Sequence, residues 1–285
     1  MIRRLAAISA VGLALTTTLV VTAGSATAAS GGVNDASCVP SAAHPQPVVF
    51  LHGLGANADE DINFLQSDVA SQGYCTFALT YGSLNYSQYV GGLAPIATSA
   101  VQIKTFIQQV LAETGAAKVD IVGHSEGGFQ SLYVTKTQGI AADIDRVVAI
   151  APPTHGTTFG GLYNLATAFG QQALVQQVLN QFGCPACGDL VTGGSAVNTL
   201  DAGPIAQPGV SYTIITSRYD ELVTPTGTAF VNEPGVVNEY VQSTCPFDPV
   251  GHIGEAYDLN VWHLVENALD PAHATGFFCT AGSPG

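Results

Sequence analysis

Five residues, Gly123-His124-Ser125-Glu126-Gly127, carry the clearest chemical signal in this chain, and Gly128 follows them. They fit the pattern G-x-S-x-G. An apolar run, Val119 to Val122, leads into the motif, and a helical stretch, Glu126 to Gln138, leads out of it. A serine on a sharp strand-to-helix turn has its hydroxyl lifted clear of a sheet, and the glycines leave room for its strained backbone. The helix N-terminus brings its positive end beneath any negative charge that develops there. The chemistry this predicts is nucleophilic attack by Ser125. Without the flanking strand and helix the pattern would say little, because a chain with 32 glycines meets it by chance.

A serine hydroxyl is a poor nucleophile and needs a base. For a serine on this kind of turn, an acid and then a histidine follow in the chain. That order sets aside His44, His52 and His124. His155 precedes any acid loop, and His263 falls inside the last helical stretch beside Trp262. His252 and His273 remain. His252 is preferred because its loop, Pro249 to Gly254, lies between the last predicted strand and the last predicted helix. The acid should follow the strand Tyr212 to Thr216, where Asp220 and Glu221 both stand. Asp220 is favoured, since Asp is the commoner partner and Leu222-Val223 resume packing after it. Asp248, close before His252, reads as a loop cap. The acid would orient the imidazole and stabilise its protonated form. Two backbone donors are needed for an oxyanion: the N–H of Glu126 and one from His52-Gly53-Leu54-Gly55, where Leu54 is the expected donor.

These loops need a frame. Strand-like runs are Pro47 to Leu51, Cys75 to Leu79, Val119 to Val122, Arg146 to Ile150, Tyr212 to Thr216 and Val236 to Val241. Between them lie helical stretches at Asp61 to Gln72, Ala94 to Thr114, Glu126 to Gln138 and Glu255 to Ala268. Strands alternating with helices predict one mostly parallel sheet covered on both faces. Residues 156–194 break the alternation. Leu162 to Phe182 is amphipathic and reads either as a lid or as an ordinary core helix. Asp59, Glu60 and Asp61 could hold a metal ion, but they fit better as acids near a helix N-terminus.

Residues 1–29 read as a secretory signal peptide. Arg3 and Arg4 precede an apolar stretch, and Ala26-Thr27-Ala28 offers a cleavage site near Ala28 or Ala29. An N-terminal anchor is the weaker reading, because Thr16-Thr17-Thr18 interrupts the stretch. The remaining residues, 30–285, read as a single catalytic domain. Removing the leader takes two of seven basic residues and no acids, which moves the net charge from −14 to −16. Such a chain repels nucleic acid and anionic membranes. Six cysteines behind a leader read as three disulfides, and six allow fifteen pairings. The simplest is sequential: Cys38 with Cys75, Cys184 with Cys187, and Cys245 with Cys279. The Cys184-Pro185-Ala186-Cys187 turn has no second such pair near it, which favours a structural bridge over a redox or metal role.

Taken in order, Val49-Phe50-Leu51-His52-Gly53-Leu54-Gly55, Lys118 to Gly128, Ala151-Pro152-Pro153-Thr154-His155-Gly156-Thr157-Thr158, and Tyr219-Asp220-Glu221-Leu222-Val223-Thr224-Pro225 resemble the secreted bacterial lipases of the class 2 type, within the α/β-hydrolase superfamily. Gly251-His252-Ile253-Gly254 with Ala256-Tyr257-Asp258 resembles their histidine loop. The resemblance implies an α/β-hydrolase fold and a triad of Ser125, Asp220 and His252. It also implies an oxyanion hole at Leu54 and Glu126, sequential disulfides, and no cofactor or metal. In that family the residue after the nucleophile is often Gln or Met, so the charge of Glu126 is a departure. The implied substrate is a lipid or other ester with an acyl chain, met by a secreted monomer. A short-chain esterase, a polyester hydrolase and an acyl transferase share the same triad. A non-catalytic binding protein on the same scaffold would be expected to have lost Ser125, His252 or the glycine loop, and all three are present.

Overall fold

The computed structural model describes residues 32–84, 89–158 and 183–282. The proposed leader and the stretch Leu162 to Phe182 lie outside them, so the lid reading finds no test here. The described residues form a six-stranded sheet: β1 (Val48–Leu51), β2 (Thr76–Ala78), β3 (Val119–His124), β4 (Ile144–Ile150), β5 (Ser211–Thr216) and β6 (Val236–Tyr240). The spatial order is β2-β1-β3-β4-β5-β6 and every neighbouring pair is parallel. The chain therefore steps to one side after β1 and returns to the other side for β3. In open parallel sheets, the crevice at such a reversal, beyond the carboxyl ends of the strands, is where ligands bind. Both glycine-bearing motifs emerge there, one after Leu51 and one after His124.

The pleat sorts the apolar side chains onto two faces. Val49, Leu51, Ile121, Val147 and Ala149 join one buried cluster, and Val48, Phe50, Val122, Val148 and Ile150 join the other. The first face is covered by α2 (Ile96–Thr114) and α3 (Glu126–Thr137), and the second by α1 (Asn63–Ser71). Short helices α4 (Pro185–Leu190), α5 (Ser195–Asp201) and α6 (Val241–Thr244) precede the last, α7 (Leu259–Leu269), which packs on the second face. Pro95 stands at the start of α2, and Gly115 ends it at φ 69°, a left-handed conformation glycine adopts without a Cβ penalty. The predicted helix from Glu255 begins later. Asp258 accepts hydrogen bonds from the N–H groups of Asn260 and Val261 and caps α7, which leaves Glu255 in a separate 3-10 turn.

All three disulfides are sequential. Cys38–Cys75 ties the N-terminal segment to the start of β2, Cys184–Cys187 closes the first turn of α4, and Cys245–Cys279 fastens the tail beside α6. The two long bridges contribute on the order of 3–4 kcal/mol each in the chain-entropy model.

One acid sits awkwardly in this core. Asp120 in β3 is buried, and one of its oxygens has no partner among the described residues. Burial, with Asp145 adding to it, pushes the carboxyl from 3.8 up to about 8, against the pull of Arg146 and Lys118. The folded chain thus holds this proton longer than the unfolded chain. The stability gained is complete below the unfolded pKa and is lost as pH rises through about 8. The slope is about 1.4 kcal/mol per pH unit for one such group. Asp120→Asn should flatten the fall in Tm between pH 5 and pH 8, measured by circular dichroism. Parallel curves for the two proteins would remove Asp120 from the account.

Candidate active site

Ser125 lies between β3 and α3 at φ 55° and ψ −119°. For a residue with a side chain this conformation costs on the order of 1–3 kcal/mol. The neighbouring glycines make it attainable. A Cβ on Gly123 would overlap the carbonyl oxygen of Gly127, and one on Gly127 would overlap that of Leu51. The Ser125 N–H is spent on Ile150 of β4, which fixes the turn to the sheet.

The acid and histidine loops converge on that hydroxyl. Ser125 Oγ is 2.8 Å from His252 Nε2, and His252 Nδ1 is 2.8 Å from Asp220 Oδ2. Both His252 and Asp220 are buried. The other carboxylate oxygen of Asp220 accepts from the N–H groups of Leu222 and Val223, 2.8 Å each, so the acid is oriented by its own loop. Ser217, at the end of β5, donates to the Val250 carbonyl and accepts from Gln242, which lashes the acid loop to the histidine loop. Asp220 is the residue brought to the imidazole. Glu221, the other acid considered, accepts from the backbone N–H of His252 at 3.1 Å. Asp248 is a loop cap, holding the Val250 N–H and the Asn260 side chain. His155 pairs with Asp201, His263 with Glu266, and His273 with Asp270, all away from Ser125.

Around Leu54 the backbone donors are almost all committed. Gly53 N–H goes to Asp61, Gly55 N–H to Gly91 and Ala56 N–H to Gly53. The Leu54 N–H has no protein acceptor among the described residues. The Glu126 N–H, in the first turn of α3, has none either, as helix geometry requires. Beside Ser125 opens a cavity of about 550 Å³ whose wall includes Leu54, Leu190, Leu222, Val223 and Ile253. A hollow of similar size, about 570 Å³, lies by Arg146, Tyr212 and Leu264, away from any paired nucleophile.

A family model described as lipase (class 2) matches residues 45–253. The chain belongs to that family. A triacylglycerol lipase of Pseudarthrobacter phenanthrenivorans is 32% identical over 126 residues, covering 41% of this chain and 36% of that protein. A triacylglycerol lipase of Burkholderia plantarii is also 32% identical over 126 residues, covering 41% of this chain and 32% of that one. The chain thus spans about a third of the length of these curated relatives. Lipase B of Aspergillus fumigatus superposes with a TM-score of 0.61 at 20% identity, covering 81% of this chain and 53% of that one. A Bacillus licheniformis lipase in mature form gives 0.54 at 15%, covering 83% and 94%. Both share the fold.

Two glutamates of this class 2 lipase chain are fully buried near the turn. Glu126 has no exposed surface, and neither carboxyl oxygen has a partner among the described residues. Burial pushes its pKa far above the usual range, the Gln130 side chain opposing. The side chain faces Gly92, and Glu126 is not part of the cavity wall. The departure from Gln or Met therefore brings a neutral acid, not a charge, behind the turn. Glu255 behaves alike. It is fully buried, accepts from Ser217 N–H at 3.1 Å, and is driven upward first by burial and then by Asp220. Asp220, His252 and Glu255 are close enough to share a metal ion, yet Asp220 and His252 already hold one another and Ser125.

The acid triplet Asp59-Glu60-Asp61 does stand just before the N-cap of α1, Ile62. None of its members lies in the first turn of α1. Asp61 turns inward, where Oδ2 takes the Gly53 N–H at 2.6 Å and Oδ1 lies 2.8 Å from His124 Nδ1. No local pattern announces this contact, because its partners stand eight and 63 residues away.

Glu126→Gln should leave kcat/KM within about threefold of wild type, since it keeps the backbone donor and replaces one neutral group by another. A loss of roughly tenfold or more on a soluble ester would mean the carboxyl itself takes part.

Proposed function

We propose that this protein is a secreted carboxylic ester hydrolase, acting as a triacylglycerol lipase through a serine acyl-enzyme. The observation that carries the reading is the unbroken chain of hydrogen bonds from Asp220 through His252 to Ser125 Oγ. Membership of the class 2 lipase family supports it.

His252 Nε2 takes the Ser125 proton as Oγ attacks the ester carbonyl. The tetrahedral oxyanion is held by the Leu54 and Glu126 N–H groups, worth roughly 3 kcal/mol each. His252 passes its proton to the departing alcohol, and the acyl group stays on Ser125. Water, activated by His252, then releases the acid and restores the serine. Asp220 keeps the imidazole oriented and stabilises its protonated form without taking the proton. Every step uses side chains and backbone of this chain.

The cavity beside Ser125 favours an apolar acyl chain. Leu54, Leu190, Leu222, Val223 and Ile253 offer it an apolar surface, with Glu60, Thr157 and Tyr257 among the polar groups of the same wall. The leader-like residues 1–29 and the three disulfides support an extracellular location, where such bridges persist. Among the described residues no helix is long and apolar enough to cross a membrane.

Hydrolysis of p-nitrophenyl esters from acetate to palmitate by wild type and Ser125→Ala tests the proposal. The variant should lose on the order of 10⁴–10⁶-fold in turnover, and wild type should prefer the longer chains. Reaction with short chains alone would make the protein an esterase. Equal rates in the two proteins would end the serine mechanism.

A further inference from the structure

His124 stands between Gly123 and Ser125 and is buried. Its two ring nitrogens face two acceptors. Nδ1 lies 2.8 Å from the Asp61 carboxylate, and Nε2 lies 3.0 Å from the carbonyl oxygen of His252. A carbonyl only accepts, and an ionised carboxylate only accepts. Each ring nitrogen must therefore carry a hydrogen, and the ring is an imidazolium. Asp61 is suited to be its ionised partner, because Oδ2 already takes the Gly53 N–H at 2.6 Å. Asp61 is itself held in place at φ 65°, a conformation residues with side chains seldom adopt, and its N–H meets the Tyr257 hydroxyl at 3.1 Å.

This places His252 under control at every polar group. Its ring is held by Asp220 and Ser125, its N–H by Glu221, and its carbonyl by His124. The same His124–Asp61 pair reaches the Gly53 N–H, next to the Leu54 donor. Three loops that carry the reacting groups thus meet on one ion pair. We infer that His124 is a positioning residue, an imidazolium clamped between Asp61 and the His252 carbonyl, and that losing one of its protons ends activity on the alkaline side. A neutral His124 would keep its hydrogen toward Asp61. Its bare Nε2 would then face the His252 carbonyl, acceptor against acceptor, and the histidine loop would lose its hold beside Ser125.

The surrounding groups agree in sign. Burial pulls the His124 pKa down, but Asp61, the His252 carbonyl and more distant Asp220 carry it above its ordinary value. Burial pushes Asp61 up, and His124, the Gly53 N–H and His52 together bring it below its ordinary value. His52, from the loop after β1, is lowered by its own burial, donates to the Gly53 carbonyl at 2.8 Å and accepts from the Tyr81 N–H at 3.4 Å. The His252 ring stands 5.1 Å from that of His124, at a tilt of 38°. Glu60 and Tyr257 line the same cavity.

The kinetic half of this inference rests on the ester hydrolase reading, and the ring protonation does not. The test pairs ¹⁵N NMR of histidine-labelled enzyme with the pH profile of kcat on a short soluble ester. Both His124 ring nitrogens should be protonated at neutral pH. Their titration should coincide with the alkaline fall in kcat. Asp61→Asn should move both events down by about one pH unit or more, lowering kcat while KM changes little. A singly protonated His124 at pH 7, or a gap above roughly one unit between its titration and the fall in kcat, would overturn the inference. Should Asp61→Asn fail to fold, the wild-type comparison decides alone. Activity surviving in Ser125→Ala would sink the serine mechanism on which the kinetic half rests, and the ring protonation would still be judged by NMR.

Discussion

A serine hydroxyl reaches a substrate above a parallel sheet only if the backbone beneath it bends into a conformation that most residues avoid. At Ser125 that bend is a φ of 55°, and much of the surrounding structure follows from it. The turn leaves no room for a Cβ at Gly123 or Gly127, and α3 then runs hard against the end of β1. The loop leaving β1 is therefore adjacent to the serine whatever its sequence. The Leu54 N–H of that loop, without a protein acceptor among the described residues, is the donor proposed for the oxyanion. The strand order β2-β1-β3 opens the crevice in which these parts meet. One strained residue, two missing side chains and one reversal of strand order account for the place of the site.

Among the described residues the same end of the molecule buries six acids: Asp61, Glu126, Asp220, Asp248, Glu255 and Asp258, the last holding the Asn260 and Val261 N–H groups. A buried carboxylate is tolerated only with partners. Asp61 has His124 and a backbone N–H. Asp220 has His252 and two backbone N–H groups. Asp248 has the Val250 N–H and the Asn260 amide. Glu126 and Glu255 lack such a set and are driven toward the neutral form instead. The structure thus sorts its acids by the donors each can find. This explains how a site in a chain of net charge −14 avoids piling negative charge behind an intermediate that is itself negative.

Much of this was legible in the sequence, and the limits have physical causes. Strand runs such as Val48 to Leu51 and the GHSEG turn are local signals, set by residues a few places apart, and they lie where the sequence puts them. The choice of Asp220 and His252 as partners of Ser125 follows from chain order, an acid and then a histidine after the serine. The strand order itself is not local, and no periodicity encodes it. The helical stretch from Glu255 to Ala268 starts four residues later in the fold, at Leu259, because Asp258 caps it there. Asp61 and His124 were missed for a different reason. In one dimension Asp61 belongs to an acidic triplet and His124 fills a variable place in a motif. Only the folded chain brings them together, across 63 residues.

The groups that would choose a substrate are not separable from those that would transform it. Leu222 and Val223 line the cavity, and their backbone N–H groups hold Asp220. Ile253 lines it one residue after His252, and Tyr257 lines it while its hydroxyl receives the Asp61 N–H. A larger or smaller side chain at any of these positions would press on the same backbone that orients the acid, the imidazole or the His124 clamp. Leu190, on α4, is tied in as well: it is buried, and its carbonyl accepts from the Thr157 N–H while the Thr157 hydroxyl donates to the Leu222 carbonyl. A change of acyl preference at Leu190 must therefore be matched by adjustment of the acid loop, as at Leu222 and Val223.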